Sequence, residues 1–236
     1  MTSTSNQATP QQVDQQSPAS AALTSLEAAI LASSSATSSS QDASGRQPAS
    51  AAAGAAELAR TKISLHAALR RFPDFPIPGI NFIDILPIFH DPVTHKALLR
   101  ALELQVLEFG VKPDVIVGLD ARGFLFGPQL ALQLGAAFVP VRKQGKLPGP
   151  CVTATYEKEY GQDFFQMQEG AIKKGQKVLV VDDIIATGGS AQAAGSLVKQ
   201  LGGDLIGYLF MLEIPFLKGR DKLDGVKTVT LLETDD

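Results

Sequence analysis

Two adjacent acids and a run of small residues follow one apolar stretch of this 236-residue chain. The stretch spans residues 177–190 and reads KVLVVDDIIATGGS. Its apolar half predicts a buried strand that ends at the acid pair, Asp182 and Asp183, and the glycines after them lead into a predicted helix. Ligands of α/β folds bind at the carboxyl ends of the strands, so this junction is a candidate site.

The small residues after the acid pair predict a phosphate-binding loop, which we call the phosphate loop. It consists of Ala186, Thr187, Gly188, Gly189 and Ser190. Consecutive backbone N–H groups at a helix N-terminus attract an anion, and the two hydroxyl groups add donors. The glycines permit close approach and unusual dihedral angles. The acid pair cannot bind phosphate but suits the hydroxyl groups of a sugar, so the stretch predicts a site for a ribose 5-phosphate.

Neither of the common nucleotide-binding signatures is present in residues 177–190, because both G-x-x-x-x-G-K-[ST] and G-x-G-x-x-G are absent. A lone TGG is also typical of ordinary helix caps, but the combination with an apolar strand and two acids favours the phosphate site. The stretch by itself does not identify a base, a reaction or even catalysis.

The elements around this stretch alternate between strands and helices from about residue 61, which predicts an α/β domain with a mostly parallel central sheet flanked by helices. Strands are predicted at 113–120, 137–143, 177–183, 205–213 and 227–233, and helices at 92–109, 123–134 and 189–200. The carboxyl ends of these strands carry Asp120, Arg142 with Lys143, the acid pair, and Glu213. The Gly- and Pro-rich segment 144–162 is expected to be a long loop or a loose hairpin.

The segment before the first of these strands is harder to interpret. Ser64 is expected to cap a short helix that carries Leu65, Leu69 and Phe72 on one face. Three prolines and a glycine then predict extended, turning backbone up to residue 82, and residues 83–89 are apolar and suited to a strand.

Residues 1–60 differ in composition from the rest, since they are mostly Ala, Ser, Thr and Gln and the first Lys or Arg is Arg46. Such a segment buries too little apolar surface to offset the entropy of ordering it. We therefore expect a disordered tail at 1–60 and one domain at 61–236, which is long enough for a single core.

Charge and cysteine content limit the partners and the compartment. The net charge of −3 disfavours nucleic acid and anionic membranes as partners, and no apolar run reaches the roughly 18 residues of a membrane span. The single cysteine, Cys151, fits a reducing compartment such as the cytoplasm. The three histidines do not form a metal-ligand spacing, and no metal-ligating residue is predicted.

The stretch 177–190 resembles the phosphoribosyl pyrophosphate signature of the type I phosphoribosyltransferases. Four further segments resemble the adenine-specific members in the same order: GLDARGFLFGP (118–128), VRKQGKLPGP (141–150), YEKEYG (156–161) and LKGRDKL (217–223). The resemblance covers about residues 62–233. It implies the type I fold with a small hood and a mobile catalytic loop. It also implies transfer of the 5-phosphoribosyl group of phosphoribosyl pyrophosphate to adenine, which gives AMP and pyrophosphate in purine salvage.

The resemblance implies a pyrophosphate site in the loop after the second strand. The bond between Asp120 and Ala121 would be a non-proline cis peptide, and Arg122 matches a pyrophosphate-binding arginine. Members of the family usually have Ser where this chain has Ala121, so only the backbone N–H is left to bind at that position.

Cations near the mobile loop are expected to stabilise the leaving group. Arg142, Lys143 and Lys146 would face the negative charge that develops as pyrophosphate departs. The resemblance also implies Mg²⁺, carried mainly by phosphoribosyl pyrophosphate and water, as that ion prefers.

The acid Glu159 matches the proposed proton acceptor or partner of the purine, since attack by the base nitrogen requires loss of a proton. Tyr160 matches a residue that closes over the site and excludes water. In the base pocket, Phe82 would stack on adenine while the C=O of Asn81 and the N–H of Ile83 read its edge. Many members have Arg where this chain has Ile83.

Three alternatives stay open at this stage. The first is a transferase for guanine, hypoxanthine or xanthine. The second is a non-catalytic regulator that senses phosphoribosyl pyrophosphate, and the third is a relative that synthesises this sugar donor, for which no ATP site is found. A homodimer is expected because family members commonly form one.

Overall fold

A computed structural model describes the backbone of residues 47–158 and 161–234, and the side chains of residues 53–156 and 163–234. Five helices are described: α1 (Gln47–Ala68), α2 (Leu86–His90), α3 (Pro92–Val106), α4 (Gly127–Leu134) and α5 (Gly189–Gln200). The strands are β1 (Arg70–Pro73), β2 (Asn81–Asp84), β3 (Val115–Leu119), β4 (Ala137–Lys143), β5 (Cys151–Lys158), β6 (Gly161–Gln168), β7 (Lys177–Ile185), β8 (Asp204–Glu213) and β9 (Thr228–Glu233). Short 3₁₀ turns lie at Leu107–Phe109, Arg122–Phe124, Pro215–Leu217 and Gly219–Lys222.

Seven strands form the main sheet in the order β5-β6-β4-β3-β7-β8-β9. Five neighbouring strands pair in parallel, in the order β4, β3, β7, β8 and β9. The hairpin β5–β6 joins this sheet through β6, which is antiparallel to β4. The remaining strands, β1 and β2, pair with each other in a separate antiparallel sheet. The predicted α/β class with a mostly parallel central sheet is confirmed.

Apolar side chains cover both faces of the main sheet. In β7, Leu179 and Val181 pack in one cluster with side chains of α1, α3 and α4, while Val178 and Val180 pack in another with α5 and the β5–β6 hairpin. A strand buried on both faces reads as a continuous apolar run, which is why β7 was recognisable from the sequence.

The predicted start and end of the helix that follows residue 91 are confirmed by its capping contacts. The Asp91 carboxylate accepts a hydrogen bond of 2.8 Å from the backbone N–H of Thr94, and Pro92 occupies the first turn. Gly110 adopts a left-handed conformation with φ of 69° after the 3₁₀ turn. Local chemistry therefore determines the start of α3 and the end of the 3₁₀ turn that continues it to Phe109.

The N-terminal boundary is a correction. Helix α1 begins at Gln47, so the prediction of disorder is wrong for residues 47–60. Alanine is a strong helix former, and Leu58 packs against the core while Leu65 is fully buried. Residues 1–46 lie outside the described residues, and a disordered tail there stays a prediction.

Two further local predictions differ from the structure. Ser64 lies inside α1 rather than at its cap, and Phe72 belongs to β1. Residues 83–89 divide between β2 and α2, because Pro87 in the first turn favours a helix start over a continuing strand. For segment 144–162, where a long loop or a loose hairpin was expected, the structure shows the β5–β6 hairpin.

None of the described helices combines the length and the apolar character that crossing a bilayer requires.

Candidate active site

A cleft of about 230 Å³ opens where β3 and β7 end side by side, and we call it the ribose–phosphate cleft. Its lining includes the predicted residues Asp120, Ala121, Arg122, Lys143, Asp182, Asp183, Ala186, Thr187, Gly188, Gly189 and Ser190. The two strands are parallel neighbours, so residues that follow them meet at one edge of the sheet. Three segments predicted separately therefore converge on one cavity.

The acid pair lies at the centre of the cleft. Asp183 is only 2% exposed, and the Arg122 Nε atom lies 3.0 Å from its Oδ2 atom in an ion pair. The backbone N–H of Asp183 donates a 2.9 Å hydrogen bond to Oδ1 of Asp182. Asp183 Oδ2 itself accepts no hydrogen bond from the described residues. The pair thus retains acceptor capacity for an incoming hydroxyl group or cation.

Burial shifts the pKa values of both acids. Burial, together with the neighbouring Asp183 carboxylate, raises the pKa of Asp182 well above its ordinary value. Burial also raises the pKa of Asp183, although the Arg122 guanidinium opposes that shift. Two adjacent carboxylates in a poorly hydrated site resist ionising together, so hydroxyl donors or a cation would relieve their repulsion.

The phosphate loop leads directly into α5. Gly188 caps this helix in a left-handed conformation with φ of 80°, a region that favours glycine. All five residues of the loop line the cleft. Their position at the N-terminal end of a 12-residue helix suits a bound anion.

The loop after β3 has the conformation that the family resemblance implied. The Asp120–Ala121 peptide bond is cis, and both residues line the cleft. The Asp120 carboxylate accepts a 3.2 Å hydrogen bond from Arg142 Nε.

The predicted cations divide into two groups. Lys143 lines the cleft, with its Nζ atom 4.0 Å from Oδ2 of Asp163. Arg142 and Lys146 are not part of the lining, and the Arg142 guanidinium donates to the backbone C=O of Lys146 at 3.4 Å. Glu159 and Tyr160 lie outside the described residues.

Three aromatic residues that were not predicted as site residues also line the cleft: Tyr156, Phe165 and Phe210. Tyr156 and Phe165 pair across the β5–β6 hairpin with ring centroids 4.6 Å apart, and the Tyr156 hydroxyl donates to Asp163 at 3.0 Å. The alternating pattern of residues 151–156 is the only signal that could have placed Tyr156 on the inner face of a strand.

A second, apolar cavity of about 480 Å³, which we call the base cavity, lies beside the small sheet. It is lined by Phe72, Phe75, Phe82, Asp84, Ile85, Leu86 and Arg122. Phe72 and Phe82 are cross-strand partners, and the rings of Phe75 and Phe82 meet edge to face at 5.1 Å. The guanidinium-bearing Arg122 lines both cavities, which places them next to each other.

The predicted base-binding residues are only partly brought together. Phe82 lines the base cavity, whereas Asn81 and Ile83 do not. Ile83 is 8% exposed and packs in the core, because successive side chains of a strand point to opposite faces. Its side chain thus faces away from the cavity, and recognition through its backbone N–H stays a prediction.

An ion pair joins the two strands that carry the base cavity. Arg70 donates from Nε and Nη2 to Oδ2 of Asp84, at 3.2 and 2.6 Å, and the Leu86 N–H donates to Oδ1 at 2.9 Å. Burial favours a higher pKa for Asp84, but the hydrogen bonds from Leu86 and Arg70 outweigh it and lower the pKa. The carboxylate is therefore held ionised at the wall of an otherwise aromatic and aliphatic cavity.

Comparison with known proteins extends the geometric result. Residues 91–223 match the family model of the phosphoribosyl transferase domain. An adenine phosphoribosyltransferase of Yarrowia lipolytica is 63% identical over 161 residues, 67% of this chain and 88% of the relative. One of Debaryomyces hansenii is 58% identical over 168 residues, 71% of this chain and 89% of the relative.

Solved structures agree with these relatives. The Saccharomyces cerevisiae adenine phosphoribosyltransferase, complexed with D-2,5-dideoxy-2,5-imino-altritol 1,6-bisphosphate and adenine, has a TM-score of 0.72 and 56% identity, covering 74% of this chain and 99% of that one. The Giardia lamblia enzyme with 9-deazaadenine has a TM-score of 0.67 and 31% identity, covering 74% and 98%. On this evidence the chain belongs to the type I phosphoribosyltransferase family, in its adenine phosphoribosyltransferase branch.

Proposed function

We propose that the protein transfers the 5-phosphoribosyl group of phosphoribosyl pyrophosphate to adenine, giving AMP and pyrophosphate, as a step of purine salvage. The observation that carries this proposal is that Arg122 lines both cavities. A cleft suited to a phosphorylated ribose thus adjoins a cavity walled by three phenylalanines, where a planar base fits. The related yeast structure holds adenine together with a bisphosphate.

Each part of the sugar donor has a matching group in the ribose–phosphate cleft. The phosphate loop would bind the 5-phosphate, and the acid pair would accept hydrogen bonds from the ribose hydroxyls. The backbone at Ala121 with Arg122 and Lys143 would hold the pyrophosphate. Positive charge at that end stabilises the leaving group as negative charge develops on it.

The base would enter from the other side. Stacking on Phe82 fixes the plane of adenine, and the C=O of Asn81 with the N–H of Ile83 would recognise its edge. Glu159 would accept or share the base proton, and Tyr160 would help to exclude water when the hairpin closes. These roles follow from the family pattern.

The cleft also fits Mg²⁺. Among the described residues, no group of three or more His, Cys, Asp or Glu side chains could hold a metal ion. The acid pair nevertheless offers oxygen ligands: Oδ2 of Asp183 forms an ion pair with Arg122 but accepts no hydrogen bond from the described residues. Mg²⁺ prefers oxygen ligands and retains several from substrate and water. When bound, the ion would neutralise charge on the pyrophosphate.

We also propose that the protein acts in the cytoplasm as a homodimer.

The decisive experiment is AMP formation from adenine, phosphoribosyl pyrophosphate and Mg²⁺ by the purified full-length chain. We expect turnover by the wild type and a fall of at least about 100-fold for Glu159→Gln, within the 10²–10⁴ range of general acid–base effects. Glu108→Gln, an exposed change outside both cavities, is the matched control. Absence of AMP from folded wild-type protein would exclude the enzyme, and preferred turnover of guanine or hypoxanthine would exclude adenine as the substrate.

A further inference from the structure

The phosphate loop rests on the backbone of a distant segment that lines neither cavity. A Cβ atom added to Gly188 would lie 2.1 Å from the carbonyl oxygen of Gly219, and one added to Gly219 would lie 2.3 Å from the carbonyl oxygen of Ala186. Such distances do not occur for real Cβ atoms, so the two backbones touch where only glycine fits. A shift of Gly219 toward the loop would therefore displace Ala186 or Gly188.

Arg220, the next residue, holds this segment against the sheet. Its Nε and Nη2 atoms donate to the two carboxylate oxygens of Glu213, at 2.7 and 2.5 Å. Its Nη1 atom donates to the C=O of Thr228 at 2.7 Å, and Nη2 also reaches the Thr230 hydroxyl at 3.0 Å. Four contacts to two strands leave the guanidinium, and hence Gly219, little freedom to shift.

Glu213 is one of the four polar strand ends that the sequence indicated, and it lies at the carboxyl end of β8. It is not part of the lining of the cleft. It is 8% exposed and binds Arg220, and a hydrogen bond of Arg220 lowers its pKa against the effect of burial. The adjacent N–H of Ile214 donates to the C=O of Ile185 at 3.0 Å, which ties the same segment to the strand before the phosphate loop.

We infer that Arg220, through its ion pair with Glu213, is a positioning residue for the 5-phosphate site. It presses the backbone of Gly219 against Ala186 and Gly188 and so keeps the loop N–H groups converged on one anion. This inference rests on the proposed function. Arg220 is expected to contribute to binding of the phosphorylated ribose but not to binding of the base.

The test compares Arg220→Gln and Arg220→Lys with Arg100→Gln in the full-length chain. Arg100 also forms ion pairs, with Glu57 and Glu103, and lines neither cavity, so its loss controls for removal of an arginine ion pair. We expect Arg220→Gln to weaken ribose 5-phosphate binding in calorimetry and to raise the KM for phosphoribosyl pyrophosphate, each about 10-fold, a loss typical of one charged hydrogen-bonding group. Arg220→Lys keeps the positive charge but lacks the planar guanidinium, so we expect a smaller loss of ribose 5-phosphate binding than for Arg220→Gln.

A second pair of variants tests the contact itself and does not depend on the ion pair. Gly219→Ala places a methyl group against the Ala186 carbonyl, whereas a methyl group at Gly54 meets nothing closer than 3.7 Å. We expect Gly219→Ala to reproduce the 10-fold loss of ribose 5-phosphate binding and Gly54→Ala to leave it unchanged. Adenine affinity should stay within about twofold of the wild-type value in all of these variants.

The outcomes separate this inference from the proposed function. Lower thermal stability with unchanged ribose 5-phosphate binding and unchanged KM would show a merely structural role and overturn the inference. Equal losses for adenine and ribose 5-phosphate would also overturn it. Failure of the wild type to form AMP would instead contradict the proposed function, while the binding measurements would still test the positioning role.

Discussion

The ribose–phosphate cleft and the base cavity are built from different parts of the chain. The cleft is lined by two short contiguous loops, residues 120–122 and 186–190, together with the acid pair and residues of β4 and the β5–β6 hairpin. The base cavity uses side chains from β1, β2, the turn between them and the start of α2, together with Arg122. Backbone donors at a helix end are already in place once the strand and helix form, whereas an aromatic wall exists only after two strands have paired.

The two regions also differ in what supports them. The cleft lies at the edge of a seven-stranded sheet that is packed on both faces. The base cavity is built on a two-stranded sheet. An ion pair between the exposed Arg70 side chain and the buried Asp84 side chain joins the two strands. Two-stranded sheets are marginal by themselves, so single side chains should contribute more to the stability of the base cavity.

The largest expected effect separates the two regions by substrate. Asp183→Asn removes a charged acceptor from the ribose–phosphate cleft and leaves Arg122 without its partner. We expect kcat/KM for phosphoribosyl pyrophosphate to fall about 100-fold, or roughly 2.7 kcal/mol, while the Kd for adenine changes less than about threefold. Steady-state kinetics and calorimetry measure both, and an equal loss for both ligands would contradict the division.

The base cavity has its own selective variant. Phe82→Ala removes the stacking surface and should raise the KM for adenine about 10-fold, within the 1–3 kcal/mol typical of aromatic stacking on a base. Phe216→Ala, at an aromatic that is 64% exposed and lines neither cavity, is the control. If the KM for phosphoribosyl pyrophosphate rises instead of the KM for adenine, the assignment of Phe82 to base binding is wrong.

The support of the base cavity can be tested by pH. The hydrogen bonds from Leu86 and Arg70 hold the folded-state pKa of Asp84 below its ordinary value. The carboxylate therefore stabilises the fold above that ordinary pKa, and this contribution is lost as the pH falls through the lowered pKa. Asp84→Asn should therefore reduce the free energy of unfolding by about 1 kcal/mol at pH 7 and by less in strong acid. Urea unfolding across pH checks this, and a constant difference at every pH would show that charge is not responsible.

The smallest expected effect concerns Ile83. Ile83→Val shortens a buried core side chain and should cost about 1 kcal/mol of stability, as such changes typically do. Because this side chain faces away from the base cavity, the KM for adenine should stay within about twofold. A selective rise of that KM would show that the side chain, and not only the backbone, contributes to base recognition.

The phosphate loop and the main sheet were predictable because their signals are local. Residues 177–190 contain strand, acids, glycines and helix start in one continuous segment, and helix α5 has the predicted bounds, 189–200. The cis bond at Asp120 and the identity of the base could be expected only through resemblance to a family. The first part of helix α1 was not predicted because the low-complexity composition of residues 47–60 hides the packing of Leu58 against the core.

The α/β class, the phosphate loop and the acid pair could be predicted from the sequence alone, since they depend on hydrophobic runs and on residues adjacent along the chain. Three features are visible only in the folded protein: Arg122 reaches both cavities, Ile83 faces the core, and Gly219 supports Gly188. Strand order and register bring together segments far apart in sequence, and contacts between such segments leave no local pattern. The acid pair can thus be identified from the sequence. The ion pair between Asp183 and Arg122 can be identified only from the structure, in which β3 and β7 lie side by side.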